Sequence, residues 1–435
     1  MISVDFSNIF NVGGEGVTEG DVRLLQPRLP TLLQQIHSRK QGFYEVIDDE
    51  EMLRAIERYV RQCAGKFTSV VVLGIGGSAL GTICIAQTLK HLYENELLKK
   101  KTPRLYVLDN IDPTLMRETL EVINLQKTLV VVITKSGGTP ETLSQYFFFR
   151  RLMDQKKLKA TKHFVFVTDP KAGLLRKIAT EEGIPAFSIP ENVGGRFSVL
   201  TAVGLLPAAL IGVNIKKLLR GARAQRDVFL SENFETNTAF QLAAVQYLLY
   251  QNGKTINVLM PYAQKLIRLA DWYRQLLAES IGKAHNRQGE LVHVGLTPVN
   301  ALGVTDQHSQ NQLYNEGPND KLLMFVRVNN LAKKMAIPLL RPKESAVQFL
   351  RGTSFNDLID VEYRGTAQAL THNQRPNLTI TIDSIGEEQL GGLFMLFEGS
   401  VAFLGELFDI NTYDQPGVEL SKNLTKKILL EKNNT

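Results

Sequence analysis

Hydrophobic positions along the chain fall into two recurring patterns. Short β-branched runs at 69–74, 105–109, 129–134 and 164–168 alternate with longer stretches whose apolar residues recur every three or four positions. Val70-Val71-Val72 and Val130-Val131-Val132 are apolar on both faces, as strands are when helices cover both sides of a parallel sheet. These runs end in Gly, Asp or Thr, at the strand ends where doubly wound sheets meet ligands. The rhythm predicts one α/β domain over 46–205. A second set of runs at 256–260, 322–328 and 378–382, again separated by helical patterns, predicts another over 206–410. Residues 1–45 read as an N-terminal helical segment, and 411–435 as a turn leading into a terminal helix over 418–432. The fold class is therefore α/β: two doubly wound, mainly parallel sheets in tandem, each a Rossmann-like three-layer αβα sandwich, plus a C-terminal helix.

Composition narrows the function classes. A chain of 435 residues, 44% hydrophobic and 22% charged, is neither disordered nor fibrous and can enclose a site between domains. Its two cysteines, Cys63 and Cys84, cannot form a disulfide framework and have no zinc-ligand spacing, which points to a reducing, cytoplasmic setting. Met1-Ile2-Ser3-Val4-Asp5 lacks the basic start and apolar core of a signal peptide. The most apolar stretch, 197–213, is interrupted by Ser198, Thr201 and Pro207 and reads as a buried helix, so no membrane partner is expected.

Fifty basic against 44 acidic side chains leave +6, enough to favour small anions but not a nucleic-acid partner. Lys99-Lys100-Lys101, Arg150-Arg151 and Lys216-Lys217 are scattered among acids and read as solvated helix faces. The seven histidines include no pair three to five residues apart, so no helical metal site is expected.

Two loops look built for an anion. Gly74-Ile75-Gly76-Gly77-Ser78-Ala79 follows a strand and opens a helix, offering bare backbone amides to a negative charge. Read alone, Gly74-x-Gly76-x-x-Ala79 with Asp109 after the next strand also approximates a dinucleotide fingerprint. Thr134-Lys135-Ser136-Gly137-Gly138-Thr139-Pro140-Glu141-Thr142 repeats the strand–loop–helix arrangement with hydroxyls, glycine amides and a lysine, a set suited to a phosphate monoester. The plainer alternative is a helix cap at Thr139-Pro140.

Acid–base candidates lie further on. Arg196 stands between a glycine pair and the buried 197–213 stretch, where a permanent charge could stabilise an oxyanion or pair a carboxylate. Gln275 and Glu279, four apart before Gly282, share one helix face; a carboxylate there could carry a proton between neighbouring carbons, although a helical glutamate is more often a solvated charge. His308 sits in a polar segment and could titrate near neutrality. Gln415 and Lys422 flank the turn into the last helix.

Gly194-Gly195-Arg196-Phe197-Ser198 and Tyr413-Asp414-Gln415-Pro416-Gly417-Val418-Glu419 with Lys422 resemble the two signatures of the phosphoglucose isomerase family, part of the sugar-isomerase (SIS) domain superfamily. The resemblance implies two SIS domains and an active site in a cleft completed by a second subunit of a homodimer. It implies reversible isomerisation of glucose 6-phosphate and fructose 6-phosphate in glycolysis and gluconeogenesis, with no cofactor or metal.

Carried over residue by residue, Gly77, Ser78, Thr134, Lys135, Ser136 and Thr139 would hold the substrate phosphate. Glu279 would shuttle a proton between C1 and C2 through a cis-enediol(ate), and Arg196 would stabilise its charge. Gln275 and Gln415 would position the sugar. His308 of the partner subunit and Lys422 would assist ring opening, with Glu141 orienting His308. Gly138-Thr139-Pro140 departs from the consecutive threonines more common at that point in the family. Three other readings stand beside this one: an isomerase of another hexose phosphate such as mannose 6-phosphate, a non-catalytic sugar-phosphate regulator, and a nicotinamide-dependent dehydrogenase resting on the Gly74 loop and Asp109.

Overall fold

A computed structural model describes residues 2–97 and 102–433. Its strands are β1 (Ile2–Asp5), β2 (Ser69–Leu73), β3 (Arg104–Leu108), β4 (Thr128–Thr134), β5 (Phe164–Thr168), β6 (Ala186–Ser188), β7 (Ile256–Pro261), β8 (Lys283–His285), β9 (Leu291–Val294), β10 (Thr297–Asn300), β11 (Lys321–Asn330) and β12 (Asn377–Ser384). The first sheet runs β3-β2-β4-β5-β6, parallel throughout. From β2 the chain steps to β3 on one side and then returns to β4 on the other. Winding therefore reverses between β2 and β4, and a crevice opens at their carboxyl ends.

The second sheet runs β1-β12-β11-β7-β10, parallel except for β1, with the same reversal between β7 and β11. A short antiparallel ribbon joins β8 to β9. The expected class, two doubly wound α/β sheets followed by a C-terminal helix, is the one observed, with that helix at Glu419–Asn433.

Strand alternation decides which side each valine serves. Val70, Val72, Val131 and Ile133 point into a core shared with the second sheet's Leu259, Leu322 and Met324 and with the helices between the sheets. Val71, Leu73, Val130 and Val132 point the other way, onto Tyr146, Phe149 and Phe166. The outer face of the second sheet packs separately through Val258, Met260, Phe325 and Leu370. The central layer includes helix Glu387–Leu407, long and apolar enough to cross a membrane by length and composition, with its whole apolar window buried inside the protein.

The stretch at 197–213 is buried as its pattern predicts, with its helix at Ala202–Leu210. The N-terminal segment differs from the helical expectation at its start. Ile2–Asp5 is a strand that pairs antiparallel with β12, Ile2 opposite Ile382, and covers the sheet edge. Four residues are too few to show a period, so its apolar alternation was invisible. Of the basic clusters, Lys99-Lys100-Lys101 lies outside the described residues. Arg150 pairs with Asp154 and Glu182, and Lys216 with Glu57.

Candidate active site

The loops after β2 and β4 occupy the reversal point of the first sheet. In the first loop Gly76 has a φ of +57°, and a Cβ on it would lie 2.8 Å from Gln275 Nε2. A Cβ on Gly77 would lie 2.2 Å from the Gly195 carbonyl oxygen. Only glycine lets this loop meet the Arg196 turn backbone to backbone and touch Gln275. Ser78 closes the short turn Gly76–Ser78.

In the second loop Thr134 Oγ1 and Thr139 Oγ1 are 2.7 Å apart, with Ser136 Oγ 3.5 Å from each. Thr139 stands at the N-terminus of helix Pro140–Gln155, but its hydroxyl caps no amide and pairs with Thr134 instead. The plain capping arrangement is therefore absent, and the hydroxyls of three residues converge where the helix's first amides lack an acceptor from that position. Thr142 Oγ1, one turn in, is buried without a partner among the described residues. The Lys135 ammonium donates to Glu191 O at 2.7 Å and Val193 O at 2.8 Å, tying this loop to the segment that leads into Arg196. Burial lowers its pKa.

Arg196 lies in the turn Gly195–Phe197, its side chain 2% exposed. Nε donates to Ser280 Oγ at 2.7 Å; Nη2 donates to Thr412 O and, at 3.1 Å, to Asp414 O. Nη1 donates to Gln415 Oε1 at 2.9 Å and to Glu279 Oε2 at 3.3 Å. Burial lowers this guanidinium's pKa, while Glu279 and Asp414 oppose the shift. Nε and Nη2 are fixed to Ser280 and to backbone carbonyls, so Nη1 is the nitrogen left facing the Glu279 and Gln415 side chains.

Glu279 rides on helix Ile267–Ile281, whose Tyr273, Leu276 and Leu277 anchor it in the core. Gln275, one turn earlier, donates through Nε2 to Glu279 Oε1 at 3.0 Å. One carboxylate oxygen is thus held by an amide and the other by a guanidinium, with the side chain 34% exposed and open to a ligand.

Sequence reasoning passed over Lys283. Its ammonium donates to Glu279 O at 2.6 Å and Ser280 O at 3.0 Å and lies 3.7 Å from Asp414 Oδ1. Burial and the neighbouring Arg196 charge push its pKa down to about 8. A lysine just past a helix-ending glycine is a recognisable signal for a cation on the last carbonyls, though not for burial under a site.

Three candidates stand apart from this cluster. His308 is exposed at the end of turn Thr305–His308, and no hydrogen bond or ion pair joins it to Arg196 or Glu279 among the described residues. Lys422 is exposed and pairs with Glu419 at 2.8 Å. Glu141 lies in the first turn of Pro140–Gln155, and among the described residues no hydrogen bond or ion pair joins it to His308 of the same chain. Among the described residues no group of three His, Cys, Asp or Glu side chains is placed to hold a metal ion.

A model of phosphoglucose isomerase matches residues 44–435. The chain belongs to the phosphoglucose isomerase family. A glucose-6-phosphate isomerase from Carboxydothermus hydrogenoformans is 45% identical to it, the match covering 98% of this chain and 94% of that protein. One from Methanocaldococcus jannaschii is 34% identical over 99% of this chain and 100% of that protein. Among solved structures, a hypothetical protein from Thermus thermophilus, 33% identical, superposes with a TM-score of 0.88 over 99% of this chain and 100% of its own. A glucose-6-phosphate isomerase from Chlamydia trachomatis, 21% identical, shares the fold with a TM-score of 0.85 over 100% of this chain and 89% of its own. Membership in the phosphoglucose isomerase family favours neither the dehydrogenase nor the regulator reading.

Proposed function

We propose that this chain interconverts glucose 6-phosphate and fructose 6-phosphate in glycolysis and gluconeogenesis. The observation that carries the reading is the Glu279 carboxylate, held between Gln275 and the buried Arg196 guanidinium, with the first loop of the reversal point packed against Gln275 and the Arg196 turn. A proton on carbon beside a carbonyl is removed quickly only if the oxyanion is stabilised as it forms. A carboxylate and a fixed cation in contact supply both functions.

On this reading Gly77, Ser78, Thr134, Ser136 and Thr139 take the phosphate, and Lys135 braces the second loop against the Arg196 segment. Glu279 removes the C2 proton of the open-chain aldose. The electron pair forms a C1–C2 double bond, and charge moves onto O1, where Arg196 Nη1 donates to it. The O2 proton passes to O1, Glu279 returns its proton to C1, and C2–O2 becomes the ketose carbonyl. Nη1 reaches the oxyanion by exchanging its bond to Gln415, which with Gln275 is then free to orient sugar hydroxyls. Lys422 and His308 of the partner subunit open the ring, with Glu141 setting the orientation of that histidine.

The same reading takes the protein as a cytoplasmic homodimer with shared sites. Leu420, Leu424 and Ile428 form an exposed apolar stripe on the last helix, which a second copy would cover. Cys63 and Cys84 are free thiols, as a reducing compartment allows.

Conversion of fructose 6-phosphate by the purified protein in chelated buffer, with mannose 6-phosphate followed in parallel, tests the assignment. Glucose 6-phosphate alone is expected. Glu279→Gln should still bind the sugar phosphate while turnover drops by roughly three orders of magnitude or more. Tight binding without turnover by the native chain would point to a regulator, and mannose 6-phosphate as product would point to another hexose phosphate.

A further inference from the structure

The roles proposed above use Arg196, Glu279, Gln275 and Gln415 but leave the ammonium beneath them without one. Lys283 begins β8 directly after the glycine that ends helix Ile267–Ile281, and its side chain is 5% exposed. Two of its donors close onto the Glu279 and Ser280 carbonyls, which a helix leaves open at its C-terminus. The third direction meets Asp414 Oδ1 at 3.7 Å. Asp414 belongs to the loop that clasps Arg196: its carbonyl accepts from Nη2, and its Oδ2 accepts from Asn411 Nδ2 at 2.8 Å.

One cation thus ties the helix end that carries the base to the loop that carries Gln415. The charged groups acting on it come from three elements: Arg196 on its turn, Glu279 on the helix and Asp414 on the terminal loop. Burying a cation beside a second cation is costly. An apolar side chain would fill the position without that cost but would hold neither the two carbonyls nor the loop.

We infer that Lys283 is a positioning residue for the proposed isomerisation, acting as a protonated ammonium that keeps Glu279 and Gln415 in one register around Arg196. The inference rests on the isomerase reading. It gives turnover an alkaline limb, because the charged form is the working one: activity declines as pH rises through the titration of a lysine that burial and Arg196 have brought down to about 8. Asp414 favours the charged form, so removing its carboxylate moves the limb to lower pH.

The test is steady-state isomerisation of fructose 6-phosphate from about pH 6 to about pH 10 by native protein, Asp414→Asn, Lys283→Met and Lys283→Arg. Asp414 is half-exposed, and its replacement leaves the core untouched. The expected results are an Asp414→Asn limb displaced to lower pH, and a Lys283→Met kcat reduced about 50-fold or more at neutral pH with KM changed less than about threefold. Lys283→Arg, permanently charged, should recover most of the loss and carry no alkaline limb from this position. An Asp414→Asn profile superimposable on the native one, or a folded Lys283→Met with kcat within about threefold of native, overturns the inference. If Lys283→Met does not fold, the Asp414→Asn profile decides alone. Absence of native turnover would instead refute the isomerase reading itself, so the two failures are distinguishable.

Discussion

Glu398 lies within helix Glu387–Leu407 with no exposed surface, and neither carboxylate oxygen has a partner among the described residues. Burial drives its pKa well above the ordinary carboxylate value. A folded-state pKa above the unfolded one contributes stability that is complete below the unfolded pKa, about 4.3, and is lost as pH rises toward the folded one. The native protein should therefore weaken from acid toward neutral pH on account of this residue. Glu398→Met keeps the volume and removes the titration. Thermal melts should show the variant gaining on the native chain as pH rises from about 5 to about 8, by roughly 1–3 kcal/mol at the upper end. A pH-independent difference would mean the carboxylate accepts from a donor that holds its pKa down. Unlike this group, Glu279 is part-exposed, and its two carboxylate oxygens accept from the Arg196 guanidinium and the Gln275 amide.

Elements differ in how plainly the sequence announces them. β2, β4 and β5 are buried along their whole length, so their valine and phenylalanine runs declare strands at a glance. β6, β10 and the β8–β9 ribbon are three or four residues each and mostly only partly buried or exposed, too short for a period, and Pro298 within β10 argues against a strand until its edge position is known. The two loops at the reversal point were legible as glycine–hydroxyl stretches after strands, yet the close approach of Gly77 to Gly195 joins residues from distant segments and no local pattern carries it. Lys283 was illegible for the same reason, since its partner Asp414 comes from the far end of the chain.

A Cβ on Gly391 would sit 1.9 Å from the Leu218 carbonyl oxygen of helix Ile215–Phe229, so the two helices touch backbone to backbone there. Ala in place of Gly gains up to about 1 kcal/mol of helix propensity. The clash is with backbone that cannot rotate away, and overpacking of this kind costs roughly 1–3 kcal/mol or more. Gly391→Ala should therefore lower the denaturation midpoint despite its better propensity; a rise would show that the helices part without cost.

At the scale of the whole molecule, one chain brings together Glu279, Arg196 and Gln275, the residues proposed as base, oxyanion donor and sugar ligand, while His308 is exposed and, among the described residues, joined to none of them by a hydrogen bond or ion pair. The apolar stripe Leu420, Leu424 and Ile428 faces outward on the last helix, which also carries Lys422. Both features fit a site that a second copy completes, and a closed two-fold dimer would then supply His308 reciprocally to each cleft. This arrangement has an arithmetic consequence. His308→Ala and Glu279→Gln should each be inactive alone. Mixed in equal amounts and allowed to exchange, half of the dimers are hybrids, and in each hybrid one cleft receives a native Glu279 from one chain and a native His308 from the other. Activity should recover to roughly a quarter of the native value. Exchange is checked independently by mass spectrometry of differently tagged chains. Confirmed hybrids with no recovery would place His308 outside the partner's site and return the ring-opening step to groups within a single chain.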